Sequence, residues 1–302
     1  MDHKMRNIWV LVLLLAAALS GCSYWGPCIN GDGPVLEELR ETGTFTAVTN
    51  TGSFDLYVNQ ADSFSVVIRA QENLIPIIET NVVGDRLIVE TRSNTCYRSG
   101  FPVEVHVTLP ETEALVLNGS GRVFAGRISS TEVLISNSGS GYMEIDSTLS
   151  EWLVLENSGS GHIEVNTSFA DVVDLIQSGS GAVVDDNIIG PAQVDVRHSS
   201  SGNIAAVILD ASELDVTLSG SGRVELGGYG ELATYTLNSS GRIDAFHMEQ
   251  WDVVAANSGS GDIFLWAKDL LNATISGSGD IVYMGDPVIT SRITGSGKLR
   301  AY

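Results

Sequence analysis

Positive charge is what this 302-residue sequence has least of: 16 Lys and Arg stand against 37 Asp and Glu, a net charge of −21. A chain this acidic has no basic surface to neutralise phosphates, which excludes nucleic acid as a partner. Cysteine is nearly missing too, with three in all. No His or Cys lies at ligand spacing from Cys28 or Cys96, which argues against a metal site or reactive thiol there. A disulfide between them remains one reading, since spacing alone does not fix connectivity. Neither helical spacing of apolar residues nor a heptad pattern appears in the body of the chain. Beyond the first 22 residues nothing is apolar for long enough to span a bilayer. Disorder is excluded as well, because 43% of the residues are hydrophobic and only 18% charged. The length exceeds one ordinary core, leaving two domains or one elongated repeat array.

Residues 1–21 read as an address. Lys4 and Arg6 precede the apolar run from Ile8 to Leu19, which closes with Leu19-Ser20-Gly21-Cys22. Charge, apolar length and the small-small-Cys ending are the layout of a secretory signal with a bacterial lipobox, whose cysteine is lipidated. Acyl chains on Cys22 would hold the protein at a membrane, since more than one buried chain makes anchoring stable. The expected location is the cell envelope, with residues 22–34 as a tether.

What the sequence has in abundance is one repeated turn. The closing glycine of a Ser/Asn/Thr-Gly/Ser-Ser-Gly motif recurs at Gly121, Gly141, Gly161, Gly181, Gly202, Gly222, Gly241, Gly261, Gly279 and Gly297. A fixed period near 20 residues marks a solenoid. Two positions after that glycine every copy is apolar, from Val123, Met143 and Ile163 to Ile281 and Leu299. Six and eight positions before it, apolar residues such as Val133, Ile135, Leu153 and Leu155 alternate with polar ones. Period-two alternation rich in β-branched residues means strands with one buried face. The Ser-Gly cluster is then a bend, where glycine supplies backbone angles that other residues resist. Leucine-rich repeats share the period, but their Leu-x-x-Leu-x-Leu run and Asn are missing. The expected fold is all-β: a right-handed parallel β-helix of ten coils over 111–302, with an irregular N-terminal β cap over 35–110 continuous with the rod.

Within 35–110 the segment Thr49-Asn50-Thr51-Gly52-Ser53-Phe54-Asp55-Leu56-Tyr57-Val58 is a degraded copy with Phe54 in the glycine position. Together with Phe45-Thr46-Ala47-Val48, Glu72-Asn73-Leu74, Gly84-Asp85-Arg86-Leu87, Val103-Glu104-Val105, Leu109-Pro110 and the iterated Ser-Gly-Ser-Gly turns, it resembles the GIN-domain family. That family is named for autotransporter adhesin heads and is common among secreted bacterial lipoproteins. The resemblance spans about residues 35–300. It implies a right-handed β-helix, surface exposure and binding, and it brings no site residues with it. The expected partner is an unidentified surface ligand, a glycan or a protein.

Candidate sites are few. Four positions before the glycine stand Asn137, Asn157, Gln177, His198 and Asn257, expected to form a structural ladder in which stacked amides satisfy one another between coils. Seven positions before it, Asp174, Asp195 and Asp215 fall on successive coils, with rungs ~4.8 Å apart. Carboxylates that close repel, so a cation of the Ca²⁺ type is one expectation and a solvated acidic surface the other. Glu144 with Glu164, and Glu225 with Asp244, make shorter acidic pairs. No catalytic residue or cofactor is expected: His106, His162, His198 and His247 share no motif with an acid and a nucleophile, and near-constant coil lengths leave little room for active-site loops. The alternative class is a β-helical polysaccharide lyase or hydrolase. Tyr142, Trp152, Trp251 and Trp266 are outer aromatics without shared register, expected to cover coil edges, with stacking on sugars as the alternative. The last coil offers an unpaired edge carrying Lys298 and Arg300, charges that either guard it or seat a second copy in a homo-oligomer.

Overall fold

The computed structural model describes residues 28–302, so the signal segment and Cys22 lie outside the described residues. Among the described residues there is no α-helix; Ile75–Ile77 forms a single 3-10 turn and the rest is strand and corner. Each coil leaves its Ser-Gly corner as a strand, bends, and returns to the next corner. On the outgoing side Arg122–Ala125 pairs in parallel with Tyr142–Ile145, which pairs with His162–Val165 and that with Ala182–Asp185. On the returning side Leu134–Asn137, Val154–Asn157, Asp174–Gln177 and Asp195–His198 stack in the same way. A middle segment adds a third face, with Arg127–Ser129 on Ser147–Leu149. Corresponding residues of successive coils therefore form columns along the rod. The segments that follow the ten corners, from Arg122–Ala125 to Leu299–Ala301, stack in parallel in a solenoid of about nine turns.

The interior follows from the alternation. Val123, Met143, Ile163, Val183, Ile204, Val224, Ile243, Ile263 and Ile281 are all fully buried in one inward column. Each such side chain contributes roughly 1.5–3 kcal/mol of burial free energy, available only because the neighbouring coils cover it.

The corner glycines serve a purpose other than the one their sequence suggests. Positive φ angles occur at Gly33, Gly84, Gly190, Gly228 and Gly285, and none of these is a corner glycine. What the corners require is close approach: a Cβ on Gly159 would overlap the carbonyl oxygen of Gly139, and one on Gly139 that of Gly119. Glycine is there because one backbone lies directly on the next. The corners bond coil to coil, as in Gly161 N–H to Gly139 O at 3.1 Å.

The N-terminal part enters the stack out of chain order. Ala47–Asn50 lies between Arg86–Val89 on one side and Ala114–Leu117 on the other. Asp55–Val58 likewise lies between Glu104–Val107 and Arg122–Ala125. Residues 47–58 thus form a rung of the rod, and residues 86–107 return to lay another rung beneath it. Phe54 occupies the corner position on which Gly121 rests. Below, parallel stacking gives way to antiparallel pairs, Val35–Arg40 with Val66–Gln71 and Ile78–Val83 with Arg86–Thr91. Buried Leu74, Ile75, Ile77 and Ile78 close this end of the core. Cys28 and Cys96 are joined, with Cα atoms 4.7 Å apart, and clip Ile29–Asn30 beside Tyr97–Arg98.

Candidate functional site

The column four positions before the corner glycine brings Asn137, Asn157, Gln177 and His198 into register. Asn257 sits in the same column four coils above Gln177, across His198, Leu218 and Leu237. Their hydrogen bonds run to the backbone, and this corrects the expected amide-to-amide ladder. Asn157 Oδ1 accepts from Gly159 N–H at 3.2 Å, while its Nδ2 donates to Gly161 O at 2.7 Å and to Ala182 O of the next coil at 3.2 Å. Asn137 and Asn257 repeat the pattern. Each side chain staples its own corner and reaches one coil onward. The reason is that the corner strips its peptide groups of ordinary partners, and a short amide two residues away meets them. Asn50, in register with Leu117, does the same for the first rung. His198 substitutes for an amide: Nδ1 accepts from Ser200 N–H at 3.2 Å, so Nε2–H faces Gly202 O at 2.6 Å. Burial holds its pKa below the ordinary histidine range, which keeps the ring neutral in this structural role.

Asp174, Asp195 and Asp215 do stack on adjacent coils. Positive charge reaches the first two from within the chain. Arg197, two residues beyond Asp195 on the same face, approaches Asp174 Oδ1 at 3.0 Å and Asp195 Oδ2 at 3.3 Å. Trp152 Nε1–H donates to Asp174 Oδ2 at 2.7 Å, and Gln193 Nε2 to Asp195 Oδ2 at 3.1 Å. The guanidinium stands where a cation was expected. Among the described residues no three His, Cys, Asp or Glu side chains converge as a metal site. The shorter acidic pairs are also in register, with Arg223 and Arg242 on Asp244 at 3.3 and 2.8 Å.

The histidines are dispersed. His106 stacks on Tyr57 with centroids 4.8 Å apart, His162 on Tyr142 at 5.5 Å, and His247 is exposed. Trp251 carries Lys268 over its ring at 4.2 Å. At the last coil Arg300 is drawn onto Asp280, whose Oδ1 also accepts from Lys298 N–H at 2.7 Å, while Val288–Ile293 is exposed along its length.

Two further features stand out in the structure. Asp185 stands in an inward column otherwise held by residues such as Ile145, Val165 and Leu226, and it is fully buried. Ser168 Oγ donates to it, and burial pushes its carboxyl up to about 7. The other is a cleft of about 550 Å³ at the junction of cap and rod. Its floor is the outward column Arg86, Ala47, Ala114, Leu134, Val154, in which two alanines leave a depression between larger neighbours. Asp85, Glu111, Glu113, Glu132 and Trp152 complete the walls. Thr46 Oγ1 fixes Glu113 at 2.6 Å and Ser130 Oγ fixes Glu111 at 2.9 Å.

Comparison with known proteins places this architecture. The family model described as "Putative auto-transporter adhesin, head GIN domain" matches residues 44–189 and 168–287. Among solved structures, a putative adhesin from Parabacteroides merdae is similar at 19% identity and TM-score 0.57, covering 92% of this chain and 100% of that one. A putative adhesin from Parabacteroides distasonis is similar at 19% identity and TM-score 0.56, covering 91% and 100%. At these identities the likeness is one of fold. A search of curated proteins finds no match.

Proposed function

The chain belongs to the GIN-domain family, and from that premise we propose that it is a non-enzymatic, adhesin-like binding module held at the cell envelope by lipid on Cys22. The observation that carries this reading is the surface itself. Successive coils pair in long in-register parallel runs from Arg122 to Ile293, interrupted by bulges near Asp185, Leu209 and Glu225 and between Ala245 and Asp252. Most of each face is therefore columns of side chains set at rung spacing. Such a rod presents a long, rigid, repetitive surface, suited to contact and poorly suited to enclosing a reaction. The acidic exterior, at −21 for the whole chain, keeps that surface solvated. The lipobox-like Leu19-Ser20-Gly21-Cys22 supports the anchor. Because Cys28 and Ile29–Asn30 are fastened to the cap, the expected tether of residues 22–34 shortens to the stretch between Cys22 and Cys28.

The test uses the native host. Cells fed a clickable fatty acid should label the wild-type chain and not a Cys22→Ser variant, and protease added to intact cells should remove the rod. Cells lacking the protein should lose attachment to an immobilised glycan or matrix-protein surface, and wild-type chain restored in trans should recover it. An unlabelled wild-type chain overturns the anchor; attachment unchanged by deletion overturns the adhesive role.

A further inference from the structure

Resting on that adhesive reading, we propose that the cleft at the junction of cap and rod is a binding site for a neutral oligosaccharide. Its shape comes from the two small residues, Ala47 and Ala114, in a column that carries Arg86 at one end and Leu134 and Val154 at the other. From Arg86 to Val154 is four rung steps, about 19 Å at ~4.8 Å each. That makes an elongated trough along the rod axis, shaped for a short linear chain.

The chemistry of the walls selects the ligand. Trp152 is 45% exposed and flanks the trough, its ring orientation fixed by the hydrogen bond from Nε1–H to Asp174. An indole held in this way offers an apolar plane to the C–H face of a pyranose. Arg86 and the carboxylates share the cleft without closing on one another. Among the described residues Arg86 makes no salt bridge, and its NH1 donates to Thr49 Oγ1 at 2.9 Å. Glu111 and Glu113 are fixed by hydroxyls and have no cationic partner among the described residues. Opposite charges set in one trough and left unpaired retain hydrogen-bonding capacity of both kinds. A ligand whose groups both donate and accept, as sugar hydroxyls do, meets both kinds at once. Acidic saccharides are disfavoured by the four carboxylates, which outnumber Arg86. The depression, the fixed indole and the unpaired guanidinium together carry the assignment.

The test is an array of neutral, acidic and amino oligosaccharides, with immobilised polylysine and fibronectin beside them, probed with the full-length chain in detergent. Wild type should bind neutral members. Trp152→Ala and Arg86→Gln should each lose at least tenfold in affinity, Trp152→Phe should retain most of it, and Trp251→Ala should match wild type, all with thermal midpoints near wild type. Four outcomes overturn the assignment: no neutral saccharide bound, binding confined to acidic saccharides, binding confined to polylysine, or Trp152→Ala binding as wild type does. If fibronectin is retained while every saccharide is refused, the cleft assignment falls and the adhesive role stands. If nothing on the array is held and cells attach equally without the protein, both fall.

Discussion

Replacing Asp185 by Asn should make the protein more stable at neutral pH and change it little in acid. Asp185 is fully buried in an inward apolar column, and its carboxyl is pushed from 3.8 up to about 7, chiefly because burial penalises the charge. A gap of that size corresponds to ~4 kcal/mol, at 1.36 kcal/mol for each factor of ten in proton affinity. The folded-state value is the raised one. The stabilisation is therefore complete below about pH 4, declines as pH climbs, and is gone above about pH 7. Asparagine keeps the shape and a partner for Ser168 but cannot ionise, so its curve lacks this decline. At about 2 °C per kcal/mol for a chain of this length, the Asn variant should melt up to ~8 °C above wild type at pH 8, and the two should converge near pH 4. Repulsion among surface carboxylates affects both proteins alike, so the difference isolates the one group. Scanning calorimetry from pH 4 to 8 measures it. Parallel curves across that range would refute the reasoning.

Asn157→Ala should cost about 3 kcal/mol in urea denaturation, because two corner hydrogen bonds are lost in a fully buried place. Asn157→Leu loses the same bonds but leaves less of a cavity, so it should cost about 1 kcal/mol less than Asn157→Ala, Leu218 and Leu237 filling the same column in other coils. Arg197→Gln should destabilise by about 1 kcal/mol at low salt and less in 1 M salt, its guanidinium being over half exposed. Millimolar calcium should leave the wild-type thermal midpoint in place, because Arg197 already bridges Asp174 and Asp195. Reducing Cys28–Cys96 reopens a loop of 68 residues and should cost ~4 kcal/mol on the loop-entropy model. Limited proteolysis should find the new cut sites in the cap, with the coils beyond Arg122 still resistant.

The rod was legible because its signal repeats: ten glycines in near-constant spacing locate the corners, and the apolar residue two places later fixes which face turns inward. What escaped the sequence escaped for identifiable reasons. The rung of residues 86–107 has a lone Ser99-Gly100 and not the Ser-Gly-Ser-Gly motif, so nothing local reveals that it slides beneath residues 47–58. Asn137, Asn157 and Asn257 were found as a column, yet their partners are backbone groups of their own corners, and residue spacing cannot distinguish this from side chains bonding each other. Arg197 could have been found: two residues past Asp195 on a strand means the same face. Asp185 could have been as well, as an acid standing where Ile145 and Val165 stand in earlier coils. The cleft could not, because Arg86, Glu113 and Trp152 are brought together only by the out-of-order rung.

The register itself can be measured by cross-linking. In a Cys22→Ser background, Thr217→Cys with Thr236→Cys places two outward thiols on adjacent coils, with Cα atoms ~4.8 Å apart. That separation lies within the range a disulfide spans. Thr217→Cys with Thr274→Cys places them three coils apart, at about 14 Å. Under mild oxidation the first pair should close within the monomer, seen as one linked peptide by mass spectrometry, and the second should stay reduced. A first pair that stays open, or a second that closes, would contradict the stack of parallel coils on which everything else depends.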